Sequence, residues 1–77
     1  MKIHVENLPW YVSSEDLRKI CSPIGDVLAA TVIFDWSTHR SRGYGLVSMS
    51  ADDCYKAIKK LNGSMYNLNK LKVRAFT

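Results

Sequence analysis

Two short segments carry the residue types with which a protein surface meets a nucleic acid. In Arg42-Gly43-Tyr44-Gly45-Leu46-Val47-Ser48-Met49, the residues Gly45, Val47 and Met49 share one face of an alternating run, and Arg42, Tyr44, Leu46 and Ser48 share the other. In Ile3-His4-Val5-Glu6-Asn7-Leu8, Ile3 and Val5 fall on one face, and Lys2, His4 and Glu6 on the opposite one. Alternation with period two marks half-buried strands. One face of each strand is apolar enough for a core, while the other offers a cation, a phenol ring, an imidazole and small polar groups. Bases of a single strand stack on rings and its phosphates meet cations, so this pairing of faces suits single-stranded nucleic acid.

The surrounding pattern supplies the elements that must hold these segments. Residues 2–8 read as a strand ended by Pro9, which has no N–H for a ladder. Ser13 is an N-cap with Asp16 in capping-box position, and Leu17, Ile20, Cys21 and Ile24 recur at helical spacing, predicting a helix over 14–22. Residues 27–34 are β-prone, 35–41 form a polar loop, and 42–49 are the second signature strand. Ser50 caps a second helix whose inner stripe is Cys54, Ala57, Ile58 and Leu61, closed by Asn62-Gly63. Residues 64–69 form a loop or small hairpin. Leu71, Val73 and Ala75 alternate with Lys72, Arg74 and Phe76 in a last strand. The order is βαββαβ, an α+β, ferredoxin-like sandwich with two helices on one face of a four-stranded antiparallel sheet and the other face open.

Seventy-seven residues with 47% hydrophobic content predict one small folded domain spanning 1–77. No apolar run approaches the ~20 residues of a membrane span, so no membrane partner is expected. The first residues lack the apolar stretch of a signal peptide. Cys21 and Cys54 sit at inward helical positions and are expected to be buried free thiols. An intracellular setting follows, nucleus or cytoplasm, with an organelle also compatible. The net charge is +4. The helices and the turn after the first carry Arg18, Lys19, Lys56, Lys59 and Lys60 against Glu15, Asp16, Asp26, Asp52 and Asp53, which cancel. The strands and their loops carry Lys2, Arg40, Arg42, Lys70, Lys72 and Arg74 against Glu6 and Asp35. The whole excess therefore lies on the sheet side, as expected where a polyanion docks.

With this element map, the two signature segments on the first and third strands resemble the paired motifs of the RNA recognition motif (RRM) family. Asn7-Leu8-Pro9, the stretch from Leu17 to Val27, the loop from Asp35 to Gly43, Ala57-Ile58 and Leu61-Asn62-Gly63 extend the resemblance over nearly the whole chain. It implies that the first and third strands lie side by side at the sheet centre and that three exposed sites on them bear aromatic rings. Those sites are His4, Tyr44 and Leu46 here, and only Tyr44 fits the family preference. His4 is expected to stack on a base, and Leu46 to offer apolar contact without a ring. Arg42 stands where the family keeps a cation for the RNA backbone. One lost ring and one weakened ring, at about 1–3 kcal/mol per stacked base, imply weak RNA binding.

Further candidates for the RNA face are Lys2, Lys72, Arg74 and Arg40 as cations, Phe76 near Lys2 or His4, and Trp36 as a loop stacking platform. Trp10, following Pro9 at the entry to the first helix, is expected to be structural. The competing function is a protein-binding module that uses the sheet or the helices, with Leu46, Ile33, Phe76 and Trp36 as an apolar patch. Catalysis is not expected. Gly43-x-Gly45 lacks the third glycine of a phosphate-binding loop and enters a strand. His4 and His39 have no partnered nucleophile, the loop Pro9-Trp10-Tyr11-Val12 has no cation for an acylphosphatase-like anion site, and the cysteines lack metallochaperone spacing. No metal or other cofactor is expected.

Overall fold

The computed structural model describes residues 1–35, 37–38 and 40–76, with the side chains of Arg40, Ser41 and Arg42 outside that description. Its elements are β1 (Lys2–Glu6), α1 (Ser14–Cys21), β2 (Ala29–Asp35), β3 (Arg40–Ser48), α2 (Ala51–Leu61), β4 (Met65–Tyr66), β5 (Asn69–Lys70) and β6 (Lys72–Ala75). Four strands form one antiparallel sheet in the order β2-β3-β1-β6, and β4 and β5 form a separate small hairpin. The ferredoxin-like α+β arrangement is therefore present, with the hairpin of residues 64–69 resolved into two short strands.

The helices begin where the cap chemistry directs. Ser13 Oγ accepts from the Asp16 N–H at 3.1 Å, and the Ser13 N–H donates to Asp16 Oδ2 at 3.1 Å. These reciprocal bonds satisfy two backbone donors that the first turn of a helix leaves unpaired. They also hold the Asp16 carboxyl below its ordinary pKa, because the backbone and side chain of Ser13 both favour its charged form. Ser50 caps α2 through a single bond, its Oγ accepting from the Asp53 N–H at 3.3 Å. Beyond α2, Gly63 takes φ +85, a left-handed conformation that suits a residue without a Cβ.

The core lies between the helices and the inward face of the sheet. Ile3, Val5, Val32, Val47 and Val73 from the strands meet Leu17 and Cys21 of α1 and Cys54 and Ala57 of α2, all essentially inaccessible to water. Gly45 lets α1 approach the sheet closely. A Cβ there would lie 2.6 Å from Leu17 Cδ2 and 2.7 Å from the Thr31 carbonyl oxygen. Both cysteines are free and buried, as expected.

Strand limits depart from the sequence expectation at several ends. β1 stops at Glu6 instead of residue 8, because Asn7 turns to φ +65. β2 begins at Ala29, not 27, and runs to Asp35. Val27 is buried in the connection, where its carbonyl accepts from Arg18 Nη1 at 3.1 Å. β3 starts at Arg40, so Asp35 and residues 40–41 of the expected polar loop of 35–41 lie in strands. The β2–β3 pairing is irregular between Val32 and Phe34, which face Gly45 and Ser41. Gly43, at φ +81, lies in that irregularity, and its carbonyl accepts from the Leu8 N–H at 2.8 Å. The bulge thus ties the exit of β1 to the start of β3.

Candidate nucleic-acid interface

The open sheet face is built as rows across the central strands. Cross-strand pairing sets His4 of β1 between Leu46 of β3 and Arg74 of β6, and Thr31 of β2 continues that row. The next row holds Glu6 between Tyr44 and Lys72. At the other end Lys2 pairs with Ser48, and its carbonyl accepts from the Phe76 N–H at 2.8 Å. Lys2, His4, Tyr44, Leu46, Lys72, Arg74 and Phe76 therefore share one surface, as strand parity predicts.

An aromatic cluster occupies its centre. The Tyr44 ring meets His4 edge to face, with centroids 4.9 Å apart and planes at 80°. Phe76 flanks His4 from the other side at 6.1 Å and 58°, and is 47% exposed. The first is the T-shaped contact that ring quadrupoles favour, and the second is a tilted contact. His4 is where expectation and structure part. Its side chain is only 12% accessible, so the imidazole does not lie open as a stacking platform. Phe76 is the exposed ring of the face, and Tyr44 and His4 are both half-buried beside it.

Polar contacts also crowd His4. Its Nδ1 is 3.1 Å from Glu6 Oε1 and 3.3 Å from Arg74 Nη2, while Arg74 Nη2 donates to Glu6 Oε1 at 3.1 Å. Nδ1 serves one neighbour at a time: protonated it donates to Glu6, and unprotonated it accepts from Arg74. Arg74, expected as a phosphate contact, is thus held by Glu6. Lys2 and Lys72 are exposed without such a tie among the described residues.

Glu6 was visible in the sequence as a charge on this face but not as the partner of Arg74. The signal lay in its parity with His4, together with the pairing of β1 and β6. Arg42 and Arg40 are placed only by backbone, Arg40 opposite Asp35. The expected Trp36 platform lies outside the described residues. The apolar patch of Leu46, Ile33, Phe76 and Trp36 is not matched by the described members, because Leu46 and Ile33 are half-buried and Phe76 alone stands out. Exposed apolar side chains gather elsewhere, at Trp10 (73%), Tyr11 and Leu68 (93%). The structural role expected for Trp10 is therefore overturned. Leu8 and Val12 fill the inward positions around it and leave the indole outside.

Among the described residues, no helix is long and apolar enough to cross a membrane. The profile of the RNA recognition motif family matches residues 3–72. The chain is 38% identical over 77 residues to glycine-rich RNA-binding protein 4, mitochondrial, of Arabidopsis thaliana, covering 99% of this chain and 57% of that protein. It is 36% identical over 75 residues to a 28 kDa chloroplastic ribonucleoprotein of Nicotiana sylvestris, covering 96% and 27%. The chain thus spans about a quarter to just over half the length of these relatives. Both are organellar by name and lend no support to the expected nucleus or cytoplasm. In structure it resembles RNA binding protein PG1, with TM-score 0.92, 39% identity and coverage of 100% and 95% of the two chains. It also resembles the Rna15 RRM with bound RNA (GU), with TM-score 0.85, 26% identity and coverage of 95% and 79%. From the family match, the sheet order and the two signature strands together, this chain belongs to the RNA recognition motif family.

Proposed function

We propose that this chain binds single-stranded RNA on the open face of its sheet, and that the isolated 77-residue chain binds it weakly. The observation that carries this reading is the cluster of Tyr44 and Phe76 around His4, bordered by the exposed Lys2 and Lys72. The exposed Phe76 and the half-buried Tyr44 allow bases to stack, and the lysines meet the intervening phosphates. The Rna15 RRM, a structural neighbour with bound RNA (GU), supports RNA as the ligand. Weakness follows from Leu46, which provides no ring, and from His4, whose ring is enclosed. An organellar location accompanies this reading, carried from the relatives' names.

The test is a titration of short mixed-sequence RNAs against the wild type and Tyr44→Ala. Tyr44 lies on the sheet face outside the buried core, half-buried against His4, so its truncation should leave the domain folded. Affinity should fall by about 1–3 kcal/mol for the lost stacking surface. Two to four phosphate contacts give a slope of log K against log salt of roughly −1.4 to −2.8. Salt-independent binding, or equal affinity of the two proteins, would remove the reading.

A further inference from the structure

The exposed aromatic corner is connected to the sheet face. A cleft of about 310 Å³ is lined by Leu8, Trp10, Tyr11, Asn67 and Leu68, among others. A second cleft, of about 440 Å³, is bounded by Glu6, Asn7, Leu8, Gly43 and Lys72. The two share Leu8, and the second opens between Glu6 and Lys72, the row of the sheet face that also holds Tyr44. The two clefts therefore adjoin at Leu8, with the row of Tyr44 beside one and Trp10 in the other.

The corner is held in place. The Asn7 Nδ2 donates to the Lys70 carbonyl at 2.9 Å, and the Asn69 Nδ2 donates to the Asn7 carbonyl at 3.0 Å, clamping the β4–β5 hairpin to the loop after β1. The Tyr11 hydroxyl accepts from Asn67 Nδ2, and the Tyr11 ring meets Trp10 edge to face at 5.7 Å and 89°. Trp10 is thus oriented by Tyr11 while most of its own surface faces water. Among the described residues, no hydrogen bond engages the Oδ1 atoms of Asn7, Asn67 and Asn69, which leaves amide acceptors for base edges. Lys70 and Lys72, both exposed, give the route the sign that a phosphate chain requires.

We infer that the corner formed by Trp10, Tyr11 and Leu68 is an additional base-stacking site, which takes a nucleotide of the same single-stranded RNA beyond those on the sheet. This rests on the sheet-face reading above. The indole is the stacking platform, Tyr11 and Asn67 position it, and the Lys70–Lys72 edge carries the backbone between the two sites. The consequence is a dependence of affinity on RNA length that the sheet alone does not produce.

The experiment compares a uridine tetramer with a uridine nonamer in a Trp36→Phe background, where Trp10 is the sole tryptophan. The nonamer should quench Trp10 fluorescence and bind more tightly than the tetramer, beyond the few-fold expected from its extra binding registers. Trp10→Ala should remove roughly 5- to 140-fold of nonamer affinity, the worth of one stacked base. Tetramer affinity and the thermal midpoint should stay where they were, and Trp10→Tyr, which keeps a ring, should recover part of the loss. An unchanged length gain in Trp10→Ala overturns the inference, as does an equal loss at both lengths. Concentration-dependent self-association abolished by Trp10→Ala, with no effect of RNA length, would also overturn it and assign the corner to a protein contact. Failure of the wild type to bind either oligomer overturns the sheet-face reading as well. Loss of both lengths in Tyr44→Ala, beside an unchanged length gain in Trp10→Ala, overturns this inference alone.

Discussion

Replacing Glu6 with Gln should strengthen RNA binding, because Glu6 is the carboxylate that occupies Arg74 on the sheet face. Arg74 Nη2 stands 3.1 Å from Glu6 Oε1, and the two side chains are 69% and 33% accessible. An ion pair this exposed contributes only about 0.2–1 kcal/mol to the fold, so the variant should lose little stability. Its effect on RNA has two parts. A phosphate held by Arg74 would lie about 7 Å from the Glu6 charge, a repulsion of about 0.6 kcal/mol in water that the variant removes. The guanidinium also becomes available for that phosphate, which adds one neutralised charge and steepens the salt slope by roughly 0.7. Together these predict a gain of roughly 3- to 10-fold at low salt, shrinking as salt rises.

Fluorescence anisotropy at several salt concentrations reads both parts at once. The slope separates a newly recruited cation from a generic reduction of negative charge, since only the former changes the number of phosphates engaged. Unchanged affinity and slope would show that Arg74 is not a phosphate contact. Weaker binding would show that Glu6 holds Arg74 in its binding pose, the opposite of the competition argued here. Lys2→Gln serves as the reference for losing one cation from the same face: its slope should flatten by a similar amount.

Two further outcomes test the packing. Gly45→Ala should cost about 1–3 kcal/mol in a urea melt, since its Cβ would sit 2.6 Å from Leu17 Cδ2 and 2.7 Å from the Thr31 carbonyl; an unchanged midpoint would mean that α1 shifts away at no cost. Burial pushes the Cys21 thiol up to about 11 from its ordinary 9.0. Because the unfolded chain releases that proton first, the stability tied to the neutral thiol is intact below pH 9 and is lost as pH rises towards 11. The wild type should therefore lose up to about 2–3 kcal/mol more than Cys21→Ala over that window, and parallel stability curves for the two proteins would refute the assignment.

Much of the fold was legible because its signals are local. The Ser13 cap with Asp16 and the Gly63 stop each depend on residues within one turn of each other, and the structure uses them as read. The faces of β1 and β3 followed from parity alone. The limits of β2 did not, because a strand ends where its partner ends. Val27 and Leu28 are β-prone, yet β3 stops at Ser48 opposite Ala29, and Arg18 claims the Val27 carbonyl instead. Composition has no access to the length of a neighbour.

The candidate site divides along the same line. Tyr44, Leu46 and Lys2 were placed on the face by their own strands, but the state of His4 depends on side chains about 40 and 70 residues away in sequence. Antiparallel pairing puts Arg74 directly across from His4 and diagonal to Glu6, and it brings Phe76 alongside the same ring. A residue that looked like an open platform in β1 therefore becomes the enclosed centre of a five-residue cluster. The same reasoning explains Trp10. Only the three-dimensional course of the chain shows that Leu8 and Val12 already occupy the inward positions on either side of it, so that the largest side chain in the loop has no cavity to enter. Its exposure is then a consequence of a filled core. What makes that corner fit for a ligand is the separate fact that Tyr11 and the asparagines of the hairpin hold it still.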